Sequence, residues 1–201
     1  MAGYTLFFNQ MSRALIASWA FAEVGVEPQL AMVEWENKPQ ALFDANPMGK
    51  IPTVIHHAAD GDRVVSEAAA VCHYLAEMEA PALLPTDAEK ADYYRWLFFA
   101  AGPVEAAVTN KAMGWEPKDA RQEMTTGFGS FERVVDTLAG WFDSHAYVCG
   151  DRFTMADVYV GSAVDWGLRF GTMPARASLS AYVERLRGRD GYKASMGALG
   201  G

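Results

Sequence analysis

Pro52 restricts this chain more than any other single residue. It lies in NPMGKIPTV (Asn46–Val54), after the branched Ile51 and before a β-branched pair. Proline cannot donate to a sheet ladder, so it is confined to strand edges, first positions and bulges. Two readings follow. Either Pro52 simply opens an edge strand, or the Ile51–Pro52 bond is held in a special geometry that leaves the Ile51 backbone free to bind something.

The flanking patterns give the setting. YTLFF (Tyr4–Phe8) reads as a buried strand. After NQMS, the segment RALIASWAFAEVGV places Leu15, Ile16, Trp19, Ala20 and Val24 at helical spacing, with Gly25 as its end. QLAMVEW (Gln29–Trp35) reads as a second strand, PQALFDAN as a short helix or turn, IPTVIHH as a third strand and RVVS as a fourth. SEAAAVCHYLAEME reads as a helix with Ser66 at its N-cap and Glu67 in its first turn. The order β-α-β-α-β-β-α occupies residues 1–80. A Pro-rich polar linker spans 81–88, and residues 89–201 read as all-helical. The first long aromatic helix there is expected to bend at Gly102-Pro103. DARQEMTTGFGSFERVVDTLAGWFDSH, TMADVYVGSAVDWGLRF and SLSAYVERLRGR read as the helices that follow.

The chain has 201 residues, enough for one large or two small domains, and 51% of them are apolar. The net charge of −8 argues against nucleic acid as a partner. Residues 1–80 hold four Lys/Arg (Arg13, Lys38, Lys50, Arg63) against ten Asp/Glu, so an anion bound there must rely on local cations. No stretch approaches the ~18 uninterrupted apolar residues of a membrane helix, and the N-terminus lacks the pattern of a signal peptide. Cys72 and Cys149 lie far apart in apolar surroundings without metal-ligand or CxxC spacing. Both are expected to be reduced thiols in a cytoplasmic protein, with no metal site.

Four stretches, in order and at matching distances, resemble the soluble glutathione transferase family. They are SRALIASW, NPMGKIPTV, SEAAAVCHYLAE and GDRFTMADVYV, the last matching a G-x-x-F-[ST]-x-A-D pattern. The resemblance covers essentially the whole chain. It implies an α/β thioredoxin-like N-terminal domain followed by an all-α C-terminal domain, a homodimer, glutathione as co-substrate and a role in detoxification. It also implies a cis bond before Pro52, with the Ile51 main chain pairing with the bound peptide as a strand edge would.

Glutathione carries two carboxylates, an ammonium and a thiol. On this resemblance Glu67 takes the ammonium, and the N–H groups opening the following helix take the γ-glutamyl carboxylate. The family usually places Ser or Thr next. Here Ala68 keeps the backbone donor and lacks the hydroxyl, a hydrogen bond worth roughly 1.5–3 kcal/mol to a charged group. Lys38 and Lys50 are the cations available for the glycyl carboxylate.

The thiol, with a pKa of about 8.5, must be ionised by a nearby donor. The family's tyrosine position holds Phe8 and its serine position Asn9, so two donors remain open: the Asn9 amide and the Ser12 hydroxyl, whose plain alternative is an N-cap. NQMSR contains no cysteine, which excludes a dithiol oxidoreductase. In the helical part Thr154 and Asp157 form a T-x-x-D capping box. Tyr93, Trp96, Asn110, Trp115, Trp166 and Arg169 are the candidates for an electrophile pocket. The reading is a transferase joining glutathione sulfur to a small apolar electrophile. Glutathione-dependent reduction of disulfides or peroxides, or ligand binding with little catalysis, are the alternatives.

Overall fold

The computed structural model describes residues 3–196. Two compact units are formed. The first holds the chain up to Leu84 together with residues from Arg187 onward, and the second is Pro85–Leu186.

The first unit is built on a four-stranded sheet in the order β2-β1-β3-β4, from β1 (Gly3–Phe8), β2 (Gln29–Met32), β3 (Thr53–Ala58) and β4 (Gly61–Ser66). β1 and β2 are parallel, joined through α1 (Ala14–Val24), while β3 runs antiparallel to both β1 and β4. The period-2 alternation of β1 separates two faces. Tyr4 and Leu6 pair in register with His56 and Val54 and lie on one face. On that side Tyr4 meets Phe21 of α1 edge-on, and His56 Nδ1 lies 2.7 Å from the Tyr74 hydroxyl on α3 (Ala68–Glu79). On the other face Phe7, Val33 and Leu42 of α2 (Gln40–Ala45) form a small core, against which Ile51 and Ile55 pack. This is the thioredoxin-like arrangement expected of the sequence.

Several boundaries move. β2 stops at Met32 instead of reaching Trp35, which is exposed. Ser66 ends β4 and does not cap α3; Glu67 is the capping residue. Arg13, not Ser12, occupies the N-cap of α1, while Gly25 terminates it at φ 71°. A last helix, α10 (Asp190–Ser195), packs on α1. There Glu23, its side chain 5% exposed, accepts from Trp19 Nε1 at 2.8 Å and from Arg189 Nε and Nη2 at 2.9 and 2.7 Å.

The second unit is helical. α4 (Lys90–Phe99) and α5 (Glu105–Met113) are joined by one π-helical turn, Ala100–Val104. The bend expected at Gly102-Pro103 takes this form because Pro103 removes one helical donor. The single helix anticipated from Asp119 to His145 is two, α6 (Ala120–Thr125) and α7 (Phe131–Phe142). Gly129 at φ 70° and the Ser130 cap, which accepts the Arg133 N–H at 3.3 Å, separate them.

α8 (Met155–Arg169) is buried on nearly all sides of its first half, as a central core helix must be. α9 (Ala177–Arg187) crosses it closely at Gly161, where an added Cβ would stand 2.1 Å from Leu186 Cδ1. The capping box at Thr154 and Asp157 is present. The Asp157 carboxylate accepts from the N–H groups of Thr154 and Val148 at 2.8 and 2.7 Å, from the Thr154 hydroxyl at 3.1 Å and from the Tyr182 hydroxyl at 3.0 Å. Burial nevertheless outweighs these donors and raises its pKa to about 6.

Candidate functional site

Strand direction gathers the site residues at one end of the sheet. β1, β2 and β4 end where β3 begins. Phe7 pairs with Thr53 and Thr53 with Ser66, so the next register positions set Phe8 and Glu67 on either side of Pro52. Asn9, Ile51, Pro52, Glu67 and Ala68 therefore lie along one rim, and the turn carrying Ser12 leads from it into α1.

The Ile51–Pro52 bond is cis. The Ile51 side chain packs into the small core, and its main chain makes no hydrogen bond among the described residues. The preceding turn is closed by its own side chains. Asn46 Nδ2 donates to the Lys50 carbonyl at 3.2 Å and to Thr53 Oγ1 at 3.1 Å, and its Oδ1 accepts the Met48 N–H at 3.2 Å. The Thr53 hydroxyl, fully buried, donates to the same Lys50 carbonyl at 2.8 Å. Gly49 holds φ at 58° against Phe43, leaving no room for a Cβ.

Glu67 is exposed, with φ 68° and ψ 115°. It is the one non-glycine residue among those described with positive φ. L-residues avoid this region, and strain of this kind concentrates at ligand-binding positions. Its side chain makes no cap bond, and its carbonyl accepts the Val71 N–H at 2.9 Å. The N–H groups of Ala68, Ala69 and Ala70 open α3 with no partner one turn back, and they gather the positive end of the helix dipole beside Glu67.

The two candidate sulfur donors are tied to each other. The Ser12 hydroxyl donates to the Asn9 carbonyl at 2.6 Å and accepts the Ala14 N–H at 3.1 Å. Asn9 Nδ2 donates to the Val33 carbonyl at 2.8 Å, and its Oδ1 accepts the Met11 N–H at 2.9 Å. A hydroxyl has one proton and an amide has two. The Ser12 proton is committed, whereas Asn9 keeps one to give. Lys38 donates to the Gly49 carbonyl at 2.9 Å, and Lys50 is exposed. Both protein thiols are disfavoured as thiolates by their burial. Burial raises Cys72 strongly and Cys149 to about 11.

Two pocket candidates of the second unit meet, the Trp115 N–H donating to the Asn110 carbonyl at 2.8 Å, and the others are held by contacts of their own. Trp96 on α4 is 1% exposed and packs on Trp141, while Tyr93 is fully buried beside it. Asn110 on α5 is half-buried and donates to the Ala106 carbonyl at 2.8 Å. Trp166 on α8 leans on Phe170, and Arg169 pairs with Asp165 at 3.2 Å. Trp115 is exposed and lines a cavity of about 460 Å³ with Pro117, Arg121, Gln122 and Thr125. No cluster of three or more His, Cys, Asp or Glu residues able to hold a metal occurs among the described residues. Nor is any of their helices long and apolar enough to cross a membrane.

The model of the glutathione S-transferase N-terminal domain matches residues 11–78, and that of the glutathione S-transferase C-terminal domain matches residues 103–190. This chain belongs to the glutathione S-transferase family. Among relatives, glutathione S-transferase A of Pleuronectes platessa is 27% identical over 83% of this chain and 76% of its own length. Glutathione S-transferase GstA of Escherichia coli O157:H7 is 21% identical, covering 97% of this chain and 98% of its own. The solved theta class glutathione S-transferase of Xanthomonas axonopodis pv. citri, with glutathione bound, superposes with a TM-score of 0.73 at 25% identity. That match covers 97% of both chains.

The family resemblance points to Ile51 and Pro52 but not to Asn46 and Thr53, which tie their turn together. The signal for Asn46 was present: Asn before Pro starts a turn through its own side chain.

Proposed function

We propose that this protein binds glutathione at the rim of its sheet, ionises the thiol and transfers the sulfur to a small apolar electrophile. The observation that carries this reading is the meeting of the strained Glu67, the open start of α3 and the unpaired main chain of Ile51 at one end of the sheet. Glu67 takes the γ-glutamyl ammonium and the first N–H groups of α3, from Ala68 onward, the adjacent carboxylate. Ile51, held before Pro52, pairs with the cysteinyl main chain. Lys38 or Lys50 faces the glycyl carboxylate. Asn9 donates its spare amide proton to the sulfur, with Ser12 as the alternative donor after rotation of its hydroxyl. Hydrogen bonds to the thiolate favour the charged form and lower its pKa.

The domain holding residues 1–80 would then bind glutathione, and the helical domain proposed for 89–201 would supply the electrophile wall through its part within Pro85–Leu186. Trp115 offers an apolar surface there, with Asn110, Trp166, Arg169 and the buried Trp96 as further candidates. A homodimer, as the family resemblance implies, is part of this proposal. The protein is placed in the cytoplasm, where its thiols stay reduced.

A second reading is favoured by the spare Asn9 proton. An amide that only steadies the sulfur suits glutathione-dependent reduction of disulfides or peroxides.

The test is a pH titration of thiolate ultraviolet absorbance, with glutathione and excess protein. A thiolate band appearing well below the free thiol's pKa of about 8.5 supports activation, and Asn9→Ala should move it back upward. No band at neutral pH in the unaltered protein refutes the transferase reading. It would leave a ligand-binding role, consistent with the missing hydroxyl at Ala68. Turnover of a disulfide with none of a carbon electrophile would favour the reductase.

A further inference from the structure

We infer that Asn46 and Thr53 are positioning residues that aim the Ile51 N–H at the bound peptide, by holding the carbonyl on the other side of the same peptide unit. The inference rests on the proposed glutathione site and adds to it the residues that orient its main-chain donor.

The Lys50 carbonyl and the Ile51 N–H belong to one planar trans peptide unit, so they point in opposite directions. The direction of one therefore dictates that of the other. The Lys50 carbonyl receives two side-chain donors, the Thr53 hydroxyl at 2.8 Å and Asn46 Nδ2 at 3.2 Å. Both come from the protein side. Thr53 is fully buried, and Asn46 is half-buried beneath the turn. Asn46 also binds Thr53 Oγ1 at 3.1 Å, so amide, hydroxyl and carbonyl form a closed triangle. With the carbonyl drawn inward, the Ile51 N–H must face away from the protein, and it makes no hydrogen bond among the described residues.

Two neighbouring contacts keep the turn from rotating as a whole. Lys38 Nζ donates to the Gly49 carbonyl at 2.9 Å, and the Ile51 side chain is anchored in the Phe7, Val33 and Leu42 core. An unpaired N–H on a fixed peptide plane is a preorganised donor, which lowers the ordering cost of binding an extended peptide.

The experiment uses the full chain with glutathione as the probe. Amide exchange in the ligand-free protein should show Ile51 exchanging freely, and saturating glutathione should protect it. Calorimetry should show glutathione binding weakened about tenfold in Thr53→Val and Asn46→Asp, with Thr53→Ser restoring it. Catalytically, KM for glutathione should rise while kcat stays within about twofold.

Protection of the Ile51 amide in the free protein, or unchanged affinity in both variants, would overturn the inference while leaving the glutathione reading intact. An exposed Ile51 amide in a protein that does not bind glutathione would overturn the glutathione reading, and with it the role assigned to Asn46 and Thr53. Should the variants fail to fold, the exchange measurement on the unaltered protein still decides the direction of the donor.

Discussion

Glu67→Gly should make the protein more stable and worse at binding glutathione. At φ 68° and ψ 115°, Glu67 holds a conformation that a side chain disfavours. Such strain costs on the order of 1–3 kcal/mol. Glycine removes it but enlarges the freedom of the unfolded chain, which offsets about 0.4–1 kcal/mol. Glycine is also acceptable at an N-cap, and this glutamate makes no cap bond to lose. The net gain is about 1 kcal/mol, or roughly 2–4 °C in Tm for a chain of this size. The variant also loses the carboxylate proposed to hold the ammonium, so glutathione affinity should fall by about tenfold or more.

Glu67→Ala separates the two effects. It keeps a Cβ, and hence the strain, but lacks the carboxylate. It should lose affinity as the glycine variant does and gain no stability. Urea unfolding gives the stabilities and calorimetry with glutathione the affinities. A Glu67→Gly protein less stable than the original, or equal in stability to Glu67→Ala, would refute the strain argument. Unchanged affinity in both would refute the role of the carboxylate.

Two further predictions concern the second unit. Asp157, raised to about 6 by burial, binds its proton more tightly folded than unfolded; this contribution therefore favours folding as pH falls from about 6 towards 4. Asp157→Asn should abolish that pH-dependent limb in unfolding curves taken across the range, and an unchanged limb would place the titration elsewhere. Glu89 runs the other way: two hydrogen bonds from Arg152, at 3.1 and 2.5 Å, hold its pKa down at about 2. Its stabilisation is present above the ordinary 4.5 and lost as pH falls towards 2. Arg152→Ala should weaken this acid-sensitive limb and, allowing for solvent screening, cost about 1 kcal/mol at pH 7, as read by acid titration and urea unfolding.

The sequence made local features easier to see than spatial ones. The end of α1 at Gly25 and the T-x-x-D box at Thr154 were legible because each is decided within a few residues. The break between α6 and α7 was hidden because apolar spacing continues through it; Gly127, Gly129 and Ser130 were the local signs against one helix. β2 was overestimated because Val33 to Trp35 look strand-like. Yet the ladder ends at Met32, where β1 runs out of residues to pair with. Glu67 was identifiable as an acid at a helix start, but its positive φ is imposed by the join of β4 to α3, which no single residue type announces. Trp96 and Trp115 look alike in sequence. Packing buries one against Trp141 and leaves the other at the surface.

The ion pair between Glu23 and Arg189 joins residues 166 positions apart within one compact unit. The helical unit is thus an insertion in the chain of the sheet unit. During synthesis the order of completion is reversed. The sheet and α1 emerge first, but α1 must wait for α10 to cover it. All of Pro85–Leu186 is available to fold in the meantime. The nascent sheet therefore exposes the flank of α1 that α10 later covers, and a chain extended past Leu186 but short of Arg189 holds a complete helical unit while the sheet unit is still unfinished.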